Sequence, residues 1–188
     1  GNSSVTVQPS ICTDSMNKEI LCLPSSVNVT IDTTINEIYN LFICKTSAGA
    51  VSVQTDTSVD GANLTGTYAH FRWRGFVLTD ASGNVINFNM GTDVFRFVAS
   101  VQIGTSGQLS LTPFVPISRV NREVYISVYA NATGIYPGVK TSGSVAIESS
   151  QMNSGQGVSA YTYMDDNGNV VTSGANALSY LRGVRLKR

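Results

Sequence analysis

The chain has 188 residues, 42% of them hydrophobic and only 13% charged, the second figure about half the roughly 25% usual in a globular domain. Twelve Lys and Arg balance twelve Asp and Glu, for a formal net charge of zero, which argues against a generic polyanion-binding role because that chemistry needs a basic excess. No apolar run approaches the roughly 20 residues that span a bilayer, so no membrane span is expected.

Strand signals begin at once. Residues 3–9 alternate, with Val5 and Val7 on one face and Pro9 closing the run. A strand at a chain end can pair within its own sheet or complete the open edge of a neighbour. Residues 1–10 are therefore read as an extended arm and candidate donor strand, and residues 11–188 as a single β-sandwich domain. Cys12 follows the arm, with Cys22 and Cys44 further on. An oxidised chain would pair two of the three. A Cys12–Cys44 bridge would tie the arm to the body; Cys12–Cys22 and Cys22–Cys44 stay open, as does a state with all three thiols reduced and packed as small hydrophobes.

Next, Val27, Val29 and Ile31 alternate with Asn28, Thr30 and Asp32. Thr33 or Thr34 with Glu37 resembles a helix start, which predicts a short helix opening residues 33–42. Strand-like runs follow at 38–45, 51–55, 67–79, 85–89, 94–103, 109–115, 124–130, 144–149, 158–163 and 170–172, all favouring Val, Ile, Thr, Tyr and Phe. Asp80-Ala81-Ser82-Gly83-Asn84, Gly104-Thr105-Ser106-Gly107 and Asp165-Asp166-Asn167-Gly168-Asn169 are turns between such runs. A second short helix is predicted over residues 176–184. About ten strands with this turn spacing predict an all-β fold, an antiparallel β-sandwich or jelly roll.

Within residues 68–76, period-two alternation puts Ala69, Phe71 and Trp73 on one face and His70, Arg72 and Arg74 on the other. The second set is a candidate ligand face for an acidic glycan, phosphate or an acidic partner; the alternative is a solvated face paired with carboxylates of neighbouring strands. Arg182, Arg185, Lys187 and Arg188 form a basic tail, which suggests nucleic acid or anionic lipid only weakly. Asp165–Asn169 lacks the spacing and closing Glu of a calcium loop and reads as a hairpin turn.

His70 is the sole histidine and sits between basic residues, which disfavours the protonated form a relay needs. No nucleophile elbow, His-x-x-x-His pair or Gly-rich phosphate loop is present. No catalytic residue, metal ligand or cofactor site is assigned.

A Pro-Gly turn leading into an alternating strand, Tyr136-Pro137-Gly138-Val139-Lys140-Thr141-Ser142-Gly143-Ser144-Val145-Ala146-Ile147, resembles the late strand of chaperone–usher-type pilin subunits. Residues 148–188 follow it, where a typical pilin ends, and three cysteines replace the usual pair. The resemblance implies an N-terminal donor strand, Asn2 to Pro9 here, and self-assembly by strand exchange. The function expected is thus a structural subunit of an extracellular filament or adhesive appendage. The rival readings are a viral structural protein of jelly-roll type (a capsid, decoration or spike subunit) and a carbohydrate-binding adhesin module on His70, Arg72 and Arg74. The Ser-, Thr- and Asn-rich surface and four Asn-x-Ser/Thr sequons, at Asn2, Asn28, Asn63 and Asn131, suit an extracellular, cell-surface or virion location.

Overall fold

A computed structural model describes residues 3–14, 16, 18–32, 34–64, 66–91, 93–135, 137–140, 147–148 and 153–187. They form an all-β protein of antiparallel sheets, as the alternation predicts. The chain divides into two compact units, Gly1–Ile86 and Asn87–Arg188, which corrects the expectation of an arm plus one domain. The division escapes a reading of the sequence because it falls inside the strand-like run 85–89, where no Gly, Pro or charge cluster marks a linker.

The first unit is built from β1 (Ser4–Val7), β2 (Ser10–Thr13), β3 (Ile20–Leu23), β4 (Val27–Thr30), β5 (Ile38–Thr46), β6 (Val51–Asp56) and β7 (Tyr68–Leu78). β1 pairs with β4 and β2 with β3, one hairpin nested in the other. β5 is the centre of a three-stranded sheet in the order β6-β5-β7. Its run Leu41-Phe42-Ile43-Cys44 is buried on both faces, and it is correspondingly continuous in apolar character rather than alternating. Phe42 meets Phe71 edge-to-face at 5.9 Å, a favoured aromatic geometry. The short helix expected to open residues 33–42 is not formed over the described residues 34–42. Asn36 takes a positive φ of 52°, and buried Thr79 pins the turn by accepting from the Glu37 N–H at 2.9 Å and donating to the Thr34 carbonyl at 2.6 Å.

The second unit holds β8 (Phe88–Met90), β9 (Val94–Gly104), β10 (Gly107–Ser110), a 3-10 turn (Ile117–Arg119), β11 (Val120–Tyr129), β12 (Gly138–Lys140), β13 (Ile147–Glu148), β14 (Gly157–Tyr163), β15 (Asn169–Ser173) and β16 (Leu178–Leu186). The pairing from β9 onward is nested: β9 with β16, β10 with β15, β11 with β14, β12 with β13. β16 also pairs with β11, and β15 with β12. The result is two antiparallel sheets, β14-β11-β16-β9-β8 and β10-β15-β12-β13. Their inner faces bury Phe95, Leu111, Val124, Ile126, Val170, Leu181 and Val184. This is sandwich packing, in which inward apolar residues of each strand interdigitate.

Strand β16 replaces the helix expected over 176–184. Ser179, Leu181, Val184 and Leu186 are buried and Arg185 is exposed, and against β11 the strand carries one extra residue between Leu181 and Gly183. That bulge adds one residue to the inward series, so Leu181 and Val184 fall three apart and break the period of two that marks a strand. A Cβ on Gly183 would lie 2.6 Å from the Phe95 carbonyl oxygen, so only glycine allows β9 this close.

Candidate functional site

The arm is engaged within the chain. Val5 sits opposite Val29 and Val7 opposite Val27, and the Ile31 N–H donates to the Ser3 carbonyl at 2.6 Å. Pro9 follows β1 and precedes β2, where its missing N–H interrupts no ladder. Release of β1 from β4 would have to precede any donation of this strand to a neighbour.

The three cysteines are free thiols, so the Cys12–Cys44 bridge is not formed. On β5 and β7, Cys44 lies opposite Phe71 and Ile43 opposite Arg72, so Cys44 and Arg72 occupy opposite faces of one sheet. Cys12 lies on the arginine side, because Asp14, next to β2, bonds His70 there and Cys12 shares its strand face with inward Leu21. A sheet therefore separates Cys12 from Cys44. Burial pushes the Cys44 thiol up to about 12. Burial also raises Cys12, against the opposing pull of Arg74 and Arg72.

The predicted face of His70, Arg72 and Arg74 is half-buried, with carboxylates of the β2–β3 hairpin set against it. His70 Nδ1 donates to Asp14 Oδ2 at 2.8 Å, and Lys45, which pairs with His70 across the sheet, meets Glu19 at 2.6 Å. Asp14 is buried and also accepts from the N–H groups of Lys18 and Glu19. The hydrogen bond from His70 and those two N–H groups together hold its carboxyl below the ordinary range, against the opposing effect of burial. Trp73 is half-buried on the other face and donates from Nε1 to Asn40 Oδ1 at 3.0 Å. Among the described residues, no group of three or more His, Cys, Asp and Glu side chains converges as a metal site requires.

The opposite face of the β2–β3 hairpin is open and apolar. Leu21 and Leu23 point inward, while Ile11, at 74% exposure, stands across from Cys22, and Ile20, at 64%, across from Thr13. Met16 in the connecting turn is exposed as well. An exposed apolar cluster on a paired strand is characteristic of a contact surface.

The basic tail is no tail. Arg182 and Arg185 belong to β16, in the middle of the five-stranded sheet. Arg185 Nη1 pairs with Glu123 at 2.7 Å, and Lys187 Nζ reaches the Ser118 carbonyl at 3.3 Å. Arg188 lies outside the described residues, as do Tyr136 and residues 141–146 of the pilin-like stretch. Pairing with β11 and β9 holds Arg182 and Arg185 in the sheet.

Arg182 lies within a site that the sequence reading missed. On the outer face of the sheet, its Nε donates to Ser127 Oγ at 3.0 Å and its Nη2 to the Tyr129 hydroxyl at 2.6 Å. Arg96 Nη2 donates to the Tyr161 hydroxyl at 3.2 Å, and Tyr161 stacks on Tyr125 at 4.8 Å. Arg96, Phe97, Tyr125, Ser127, Ser159 and Arg182 line a shallow depression of about 290 Å³. The signal lay in the outward positions of 124–130 and 158–163, where Tyr and Ser recur at every second residue.

The chain matches no protein-family model, no curated protein and no solved structure. Among the described residues, no helix is long and apolar enough to cross a membrane.

Proposed function

We propose that the protein is a structural subunit that assembles with further copies of itself into a closed particle, with its second unit as a jelly roll of the kind found in viral capsids. The observation that carries this reading is the nested pairing of β9 through β16. Eight consecutive strands folded as one long hairpin and rolled into two four-stranded layers make a jelly roll, an architecture of capsid and lectin domains. Edge strand β8 extends one of the layers. Architecture alone does not specify function, so a surface feature has to support assembly. Ile11, Ile20 and Met16 supply it. In a homo-oligomer this patch would meet its own copy across a two-fold axis, the commonest closed interface. The role is non-catalytic and needs no cofactor.

A second reading is the filament built by strand exchange. It is favoured by one observation: β1 pairs with β4 alone, in a two-stranded sheet of four residue pairs. So small a ribbon is marginal by itself and open to swapping between copies.

Sedimentation of two variants separates the readings. A double substitution, Ile11→Asp with Ile20→Asp, should reduce the assembly to monomer if the hairpin face joins the copies. A chain lacking residues 1–9 should still assemble in that case, and should sediment as monomer if β1 is the linker. Assembly that survives both changes would remove the support for either reading.

A further inference from the structure

We propose that the depression on the outer face of the five-stranded sheet binds an acidic sugar, carboxylated or sulfated, and that Arg96 and Arg182 hold its anionic group. This inference is independent of how the subunits assemble. Arg182 is only half-exposed, yet the partners of its guanidinium are neutral, Ser127 Oγ and the Tyr129 hydroxyl. The Arg96 guanidinium is bonded to the Tyr161 hydroxyl. Among the described residues, neither arginine forms an ion pair, and Glu123, the carboxylate on the outer face of β11, is taken by Arg185. Two arginines lining one depression without an ion-pair partner favour an anion, and the planar fork binds carboxylate or sulfate through paired hydrogen bonds.

The remaining lining selects what carries the anion. Tyr125 in the lining and Tyr161, exposed and stacked on it, offer aromatic surface, and Ser127 and Ser159 bring two hydroxyls that bond each other at 2.7 Å. Aromatic faces beside hydroxyl groups suit a pyranose ring, which has an apolar face and a hydroxyl edge. The volume, about 290 Å³, is at the low end of the roughly 300–1,000 Å³ of ligand sites, which fits one sugar unit rather than a chain. A nucleic-acid strand is disfavoured, because it needs a continuous basic track and the chain carries no net charge.

Saturation-transfer NMR on the full-length chain tests the proposal, with sialyllactose, a sulfated galactose and neutral lactose as probes. Transfer to one or both acidic sugars and none to lactose is expected, and the responding sugar identifies the anion as carboxylate or sulfate. Arg96→Gln should weaken that binding about tenfold, the size of one charge-assisted hydrogen bond. Tyr161→Phe, which removes the hydroxyl that positions Arg96, should weaken it less. Arg72→Gln with Arg74→Gln should leave it unchanged. The proposal is overturned if millimolar acidic sugars show no transfer, if lactose binds equally, or if Arg96→Gln binds like the parent chain with its melting unaltered. Loss of binding in the Arg72/Arg74 variant alone would overturn it too, by moving the site to the first unit.

Discussion

At the scale of single residues, Asp14 makes the first unit sensitive to acid. Its carboxyl is held below the ordinary value of 3.8 by His70 and two N–H groups, and Glu19 is lowered in the same direction by Lys45. A carboxylate with a depressed folded-state value favours the native state above its unfolded value, about 3.9 for Asp. That contribution is lost as pH falls through the folded value. Thermal melting should therefore show Asp14→Asn less stable than the parent at pH 7. The gap should narrow steadily as pH drops below about 4, and a gap constant with pH would contradict the assigned role. The thiols give a second prediction at this scale. A thiol-specific reagent should modify exposed Cys22 rapidly, half-buried Cys12 more slowly, and Cys44 only on unfolding. Fast labelling of Cys44 in the native state would contradict its burial at the centre of β5.

At the scale of elements, turn chemistry could be read from the sequence and sheet membership could not. Asp80–Asn84 and Asp165–Asn169 share one pattern, Asp-x-x-Gly-Asn. In both, the Asp side chain accepts N–H groups two and four residues on, as in Asx turns. The first closes a hairpin through the Thr79–Val85 bridge. The second is not the hairpin expected, since it carries the chain from β14 in one sheet to β15 in the other. Five residues fix the turn; which strand pairs with which depends on contacts far along the chain. The candidate site was hidden for the same reason: Arg96, Ser127, Tyr161 and Arg182 come from four strands that only the sheet order brings together. The face of His70, Arg72 and Arg74 was visible because one strand carries it, whereas Asp14 and Glu19, which meet it, lie in a hairpin too short to announce itself. Gly183→Ala tests the bulge that disguised β16. Forcing a methyl against the Phe95 carbonyl should cost roughly 1–3 kcal/mol, read as a lower denaturant midpoint, and an unchanged midpoint would mean β9 and β16 are not so close. In the core between the layers, Ile126→Ala should cost about 2–5 kcal/mol.

At the scale of the whole molecule, the fold accounts for the low charge of the sequence. Hydroxyls and amides hydrate the outer faces of the sheets, while three exposed apolar residues, Ile11, Met16 and Ile20, share the β2–β3 hairpin. Burying each of Ile11 and Ile20 against a second copy is worth about 1.5–3 kcal/mol, so an interface centred there would weaken steeply on substitution with Asp. Closed assembly would follow if that patch and a second contact obey point-group symmetry. Negative-stain imaging of the purified full-length chain at micromolar concentration tests this most directly. Closed shells or point-symmetric particles of uniform size are expected, and fields of isolated monomers or unbounded fibres would contradict assembly into a closed particle.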